Sequence, residues 1–253
     1  MTITAKDWAR FVDKLSEISR RAASDLRVWV NARGGLVSID RDTLIAYVYG
    51  LATRYGEGTG ALAAAWYDAV AEASGRFLPA AEPAVTAAYS EVAKVVNGVL
   101  DVSSNESMLM GAMERLAKLP GVDTTVKNAI RDGAEVAWVP HGDTCAFCIT
   151  LASRGWERAS RRMVSNGHAA HVHANCDCTY AVRFSEAAAV AGYDPAAYRA
   201  MYDDAPGLSS AEKINAMRRE FYAENRAEIR EQQNSAYAKR RELESPRAEE
   251  ADV

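Results

Sequence analysis

The chain has no long hydrophobic run, few cysteines and histidines, and no strong charge of either sign. No stretch of about 18 consecutive apolar residues occurs in its 253 residues, which predicts no membrane-spanning helix. The opening MTITAKDWARFVDKL carries charges throughout at helical spacing, unlike the basic-then-apolar pattern of a secretory signal. The expectation is a protein made and kept in a reducing cytoplasm, or in something assembled there. A formal net charge of −4 excludes coating of nucleic acid by bulk electrostatics and leaves room only for a local basic patch. There is no internal repeat. There is no His-Glu-x-x-His, no glutamate beside the histidines as in zinc deaminases, and no nucleophile elbow. Catalysis has no motif to rest on.

What is present is the composition of an ordinary soluble globular protein, with 49% apolar and 25% charged residues. The length suits one large domain or two small ones. The first 120 residues read as helices. Thr4 and Asp7 form a candidate capping box, followed by Trp8, Phe11, Val12, Leu15 and Ile18 at helical spacing. This pattern continues to Trp29 and stops at Gly34-Gly35. A second helix starts near Asp40 with Leu44, Tyr47, Val48 and Leu51. The glycines of YGEGTG do not match a phosphate-binding loop and read as a bend, after which Leu62, Trp66, Tyr67 and Val70 resume the period. Pro79 and Pro83 mark a turn. Val85, Tyr89, Val92, Val96 and Leu100 define another helix, and Ser103 with Glu106 are candidate caps of one carrying Leu109, Met113 and Leu116. LPGV at 119–122 predicts the end of the helical half and a domain boundary.

The pattern then changes. A short helix over Thr124–Arg131 leads to the strand candidate AEVAWVP. CAFCITLAS suits one or two helical turns ending at Gly155, and GWERAS and CDCTYAVRF alternate as strands do. Such a small α+β module, at 121–185, is commonly stapled by a metal. All four cysteines lie in it, spaced Cys145-x2-Cys148-x19-His168-x2-His171-x-His173-x2-Cys176-x-Cys178. Two cysteine-bearing turns this far apart are what a tetrahedral zinc site requires. The thiolates of Cys145 and Cys148 converge from one turn, and the strand period puts Cys176 and Cys178 on one face. His173 completes five candidates for four positions, with His168 and His171 weaker. The preferred set is Cys145, Cys148, Cys178 and His173, with Cys176 as substitute. With so many thiols to close the shell, the metal would be structural. Buried or paired thiols, for example Cys145 bridged to Cys178, and redox chemistry at the Cys-x-x-Cys are the alternatives.

Arg154, Arg158, Arg161 and Arg162, with Arg183 further on and Trp156 among them, are candidate contacts for DNA phosphates or an acidic protein surface. They suit the solvated side of a loop and edge strand equally well. Beyond Phe184 the chain is helical again, with Pro195 at a helix start and a long segment from Ser209 to about Glu244. Its apolar stripe of Ile214, Met217 and Phe221 is short for its length, and its charges alternate in sign. It reads as a solvated helical arm or a docking helix, followed by the tail SPRAEEADV.

VPHGDTCAFCITLASRGW followed by HVHANCDCTY resembles the shared core of the phage Mu F-like minor head proteins. In that family a Thr-Cys-x-x-Cys turn precedes a His-x-x-Cys-x-Cys ending. These fall here on Thr144, Cys145 and Cys148, and on His173, Cys176 and Cys178. The family's ending is often His-Pro-Asn-Cys-Arg-Cys; this chain has Ala174 for the proline and Asp177 for the arginine, so one basic contact is absent. YGEGTGALAAAWYDAVAEASG is similar to the helical part of a head-protein subgroup that carries this module. The resemblance spans roughly residues 40–185. It implies a structural, low-copy minor capsid protein of a tailed-phage head. Such a protein joins the procapsid near the portal vertex, inside the capsid, with the portal or major capsid protein as partners and packaged DNA nearby. Some relatives are fused to a capsid maturation protease or a toxin-like domain, for which too little chain follows Phe184.

Together these readings predict a mostly α protein with a small α+β module: an N-terminal helical domain at 1–120, a Cys/His module at 121–185, and a C-terminal helical arm with its tail at 186–253. A small-molecule substrate is not expected. The rival expectation is an enzyme, either a capsid maturation protease or a metal-dependent nuclease using the Cys/His cluster.

Overall fold

The computed structural model describes residues 2–102, 105–142, 144–165, 177–224 and 226–227. Among these residues it is mostly helical with two small sheets, the mostly α class with a small α+β module that the sequence predicts. A two-residue strand, β1 (Thr2–Ile3), leads into helix α1 (Ala5–Asn31). Thr4 caps α1 by accepting the Asp7 amide at 3.1 Å, and its hydroxyl donates to the Asp7 carboxylate at 2.6 Å. Gly34 and Gly35, both at positive φ, turn the chain toward a second capping residue. This is Asp40, which accepts the Thr43 amide at 2.9 Å and opens α2 (Arg41–Ala73). Helices α3 (Tyr89–Val102) and α4 (Glu106–Asp132) complete the bundle. Asn105 caps α4; Ser103 lies outside the described residues.

Two expected breaks are absent. Helix α2 runs unbroken through GEGTG, and α4 runs through LPGV and takes in the short helix expected at 124–131. The reason is the crossing of these helices. A Cβ at Gly56 would stand 2.9 Å from Pro120 Cγ and from Thr86 Cγ2. One at Gly121 would stand 3.0 Å from the Thr59 carbonyl. Glycines that cost each helix roughly 1 kcal/mol in propensity therefore let the backbones approach closely. Pro120, which has no N–H to donate, sits at this crossing, and next to it the Thr59 hydroxyl donates to the Ala117 carbonyl at 2.6 Å.

The connection between α2 and α3 has no helix at Val85; the helix expected there starts at Tyr89. Instead the segment lies extended along α4. Thr124 accepts the Ala84 amide at 2.8 Å, and Asn128 exchanges two hydrogen bonds with Glu82, at 3.0 and 2.9 Å. Asn128→Ala should cost about 1 kcal/mol by removing these part-buried hydrogen bonds to the Glu82 backbone. Limited proteolysis should then cut within 76–88 at lower protease than in the parent. An unchanged cleavage pattern would show that the segment is held by its apolar contacts alone.

After α4 come β2 (Glu135–Val139), α5 (Ala146–Ala152), β3 (Glu157–Arg158), α6 (Arg161–Ser165) and β4 (Thr179–Arg183). The strands form an antiparallel sheet of order β3-β2-β4. Strand β5 (Ala189–Val190) pairs in parallel with β1, fixing the start of α1 beside the end of the module. Helices α7 (Pro195–Asp204) and α8 (Ser210–Glu224) follow. Asp194 caps α7, with Pro195 in its first turn. In the described part of the expected arm, Ala216 and Met217 are buried, and Met217 packs with Ala146 of α5; the rest of α8 is largely exposed.

Among the described residues two large apolar cores result, beside the small cluster of Ala146, Ala205 and Met217. One lies low in the bundle around Leu26, Leu44, Val96 and Met113. The other joins Trp8 and Phe11 of α1, Tyr67 of α2 and Val126 of α4 to Trp138, Tyr180, Cys148 and Cys178 of the module. Helix α4 contributes to both, its first half to the low core and its second half to the upper one.

Candidate functional site

Cys145 sits at the N-cap of α5 in extended conformation, and its side chain makes no capping hydrogen bond. One turn later Cys148 falls on the same side of the helix. The helix is short because Gly155, at φ +71°, turns the chain into β3. Cys178 precedes β4, one residue before Thr179, which pairs with Val139. Cys148 and Cys178 are each 1% exposed, and Cys145 packs against the same cluster. The fold thus brings both ends of the cysteine motif into one core. Around them, Trp138 and Tyr180 meet edge to face at 4.9 Å, and burial raises the Tyr180 phenol above its ordinary range. Tyr198 of α7 is likewise pushed up, by burial and then by the neighbouring Cys178.

His168, His171, His173 and Cys176 lie outside the described residues. Among the described residues no disulfide joins Cys145, Cys148 and Cys178, and no group of three His, Cys, Asp or Glu side chains is gathered that could hold a metal ion.

Sequence reasoning missed the attachment of this region to α1. Asp13 and Arg20 are two turns apart on one face of that helix. Asp13 meets His141 Nε2 at 2.9 Å, and Arg20 meets Asp177 at 2.6 Å. Where the head-protein family often has arginine, this chain's Asp177 thus receives an arginine from α1. Each pair is partly exposed and contributes about 0–1 kcal/mol, so their effect is mainly to orient the two loops. No local pattern announces them, because each links residues more than a hundred positions apart.

Of the basic candidates, Arg154, Arg158, Arg161 and Arg162 are all exposed. They stand on the turn after α5, on β3 and at the start of α6. Arg183 is different. Its Nε and Nη2 both reach the Glu135 carboxylate at 2.6 Å, Nη1 donates to the Glu186 carbonyl, and the guanidinium lies over the Trp156 ring at 4.8 Å. Below it, Arg131 grips Asp132 through two hydrogen bonds, and the Tyr67 hydroxyl donates to the same carboxylate at 2.9 Å. Burial alone would raise Asp132, but these bonds outweigh it and hold the carboxyl below its ordinary value.

The VG15 protein family matches residues 2–205, from β1 through α7. The chain belongs to the VG15 family. This is a viral or phage protein family, so the chain is a protein of that viral or phage class. The match carries nothing specific to Mu F-like minor head proteins. No curated protein and no solved structure matches the chain. No helix among the described residues of this VG15 protein is long and apolar enough to cross a membrane.

Proposed function

We propose that this VG15 protein is a structural minor head protein of a tailed phage, acting in head assembly near the portal vertex through contacts with portal or major capsid protein. The observation that carries this reading is the burial of Cys148 and Cys178 in a core shared with the helical bundle. A catalytic thiol must be reached by substrate, whereas a buried one acts as packing or as a structural ligand. Family membership and the Thr144-Cys145-x-x-Cys148 motif, with its ending at Cys178, support the same reading. We further propose that Cys145, Cys148, Cys178 and His173, with Cys176 as substitute, hold one structural zinc ion. Bound there, zinc would tie the α5 turn to the start of β4.

Mass spectrometry of purified procapsids and virions should find the chain at a few copies per particle. Its detection in infected-cell lysate but never in particles would refute the proposal. An enzymatic role has its own signature. Cleavage of major capsid protein, or of DNA with a divalent metal, that disappears in His171→Ala or His173→Ala would replace the structural reading.

A further inference from the structure

The sheet register aligns charges in a way that no motif shows. Glu135 of β2 pairs with Arg158 of β3 on one side and with Arg183 of β4 on the other. Directly paired residues of antiparallel strands project to the same face, so one carboxylate stands between two guanidinium groups. Glu135 is taken by the two-pronged bond from Arg183, whose remaining donors go to backbone carbonyls. Among the described residues no hydrogen bond or salt bridge engages the Arg158 side chain.

This row opens onto a cavity of about 230 Å³ at the C-terminal end of α4. The cavity is also lined by Arg76, from the turn after α2, and by Ser185 and Glu186. The Arg76 side chain, too, makes no hydrogen bond or salt bridge among the described residues, although its charge acts on Asp132. Asp132 on the wall is neutralised by Arg131, as Glu135 is by Arg183. With Arg131 counted beside Asp132, the arginines Arg76, Arg131, Arg158 and Arg183 exceed the carboxylates Asp132, Glu135 and Glu186 by one charge. Gly133, at φ +66°, forms part of the wall, and a Cβ there would stand 3.2 Å from the Arg158 guanidinium. A side chain at this position would crowd Arg158.

We propose that this cavity binds a phosphate group, with Arg158 and Arg76 as its donors and Ser185 at its rim. Two forked, planar donors from separate elements suit a phosphate oxyanion, and the small volume admits one such group. The phosphate comes either from a nucleic-acid backbone or as the free ion. This site rests on the strand register and not on the head-assembly reading, so either can fail alone.

The test uses the full chain with three probes: inorganic phosphate, a short DNA oligonucleotide and an acidic peptide. Arg158→Ala and Arg76→Ala should each weaken binding of the phosphate-bearing probe at least tenfold. Arg27→Ala, exposed on α1 and outside the cavity, should change it less than twofold. If DNA is the source, each cavity variant should lower the slope of log affinity against log salt by about 0.9, and inorganic phosphate should compete with the oligonucleotide. If free phosphate is the source, inorganic phosphate binds and the oligonucleotide gains nothing from Arg158 or Arg76. Arg158→Lys, which keeps the charge without the fork, should retain the salt slope but lose part of the affinity, separating a binding defect from misfolding. Equal losses in Arg27→Ala and Arg158→Ala, no binding of either phosphate probe, or tighter binding of the acidic peptide would each overturn the proposal.

Discussion

Gly121→Val should destabilise the protein by about 1–3 kcal/mol or more, with the melting temperature falling by about 2–4 °C per kcal/mol. Propensity points the other way, since glycine inside a helix is about 1 kcal/mol worse than alanine. The opposing effect is steric. The first added carbon would stand 2.8 Å from Leu15 Cδ1, 3.0 Å from the Thr59 carbonyl oxygen and 3.2 Å from Thr59 Cβ. Leu15 is fully buried and has little room to rotate, and the Thr59 carbonyl is helix backbone that moves only if α2 moves. The whole α2–α4 crossing must therefore open. Gly50→Ala is the control, because nothing lies within 4 Å of its added carbon; that variant should be neutral or gain up to about 1 kcal/mol. If Gly121→Ala melted with Gly50→Ala, close approach would not be what glycine provides at this crossing.

Removal of metal should have the second large effect. On the zinc proposal, protein purified without chelator carries close to one zinc per chain, and stripping it or replacing Cys145 by Ser costs on the order of several kcal/mol. The sulfur positions shape the pattern of loss. Cys148 and Cys178 belong to the core that also holds Trp8, Phe11 and Tyr67. Hydrogen exchange should therefore accelerate in the sheet and in the parts of α1 and α2 that face it, and not within the module alone. Protection around Leu26, Leu44 and Met113 should persist, because that core is built from the helices by themselves. Metal-free protein with unchanged melting, or the four sulfurs found in disulfides, would refute the zinc site.

Much of the fold was legible in the residues because its signals are local. Thr4, Asp40 and Asp194 cap helices through their own side chains, and Pro195 marks the first turn of α7. The strand candidate AEVAWVP and the alternating CDCTYAVRF contain β2 and β4, and the short apolar run after Cys145 contains α5. The cysteine motif was readable as a pair of turns meant to meet, since its spacing alone implies convergence. What the sequence could not decide were matters of distance in three dimensions. Glycine in GEGTG and proline-glycine in LPGV argue for breaks by propensity; packing reversed both, because two helices crossing at close range need small residues there. The grip of Asp13 and Arg20 on the module, and the row Arg158–Glu135–Arg183, depend on which elements become neighbours. Strand order and helix crossing are set by burial of the whole chain, and no local stretch of residues carries that information.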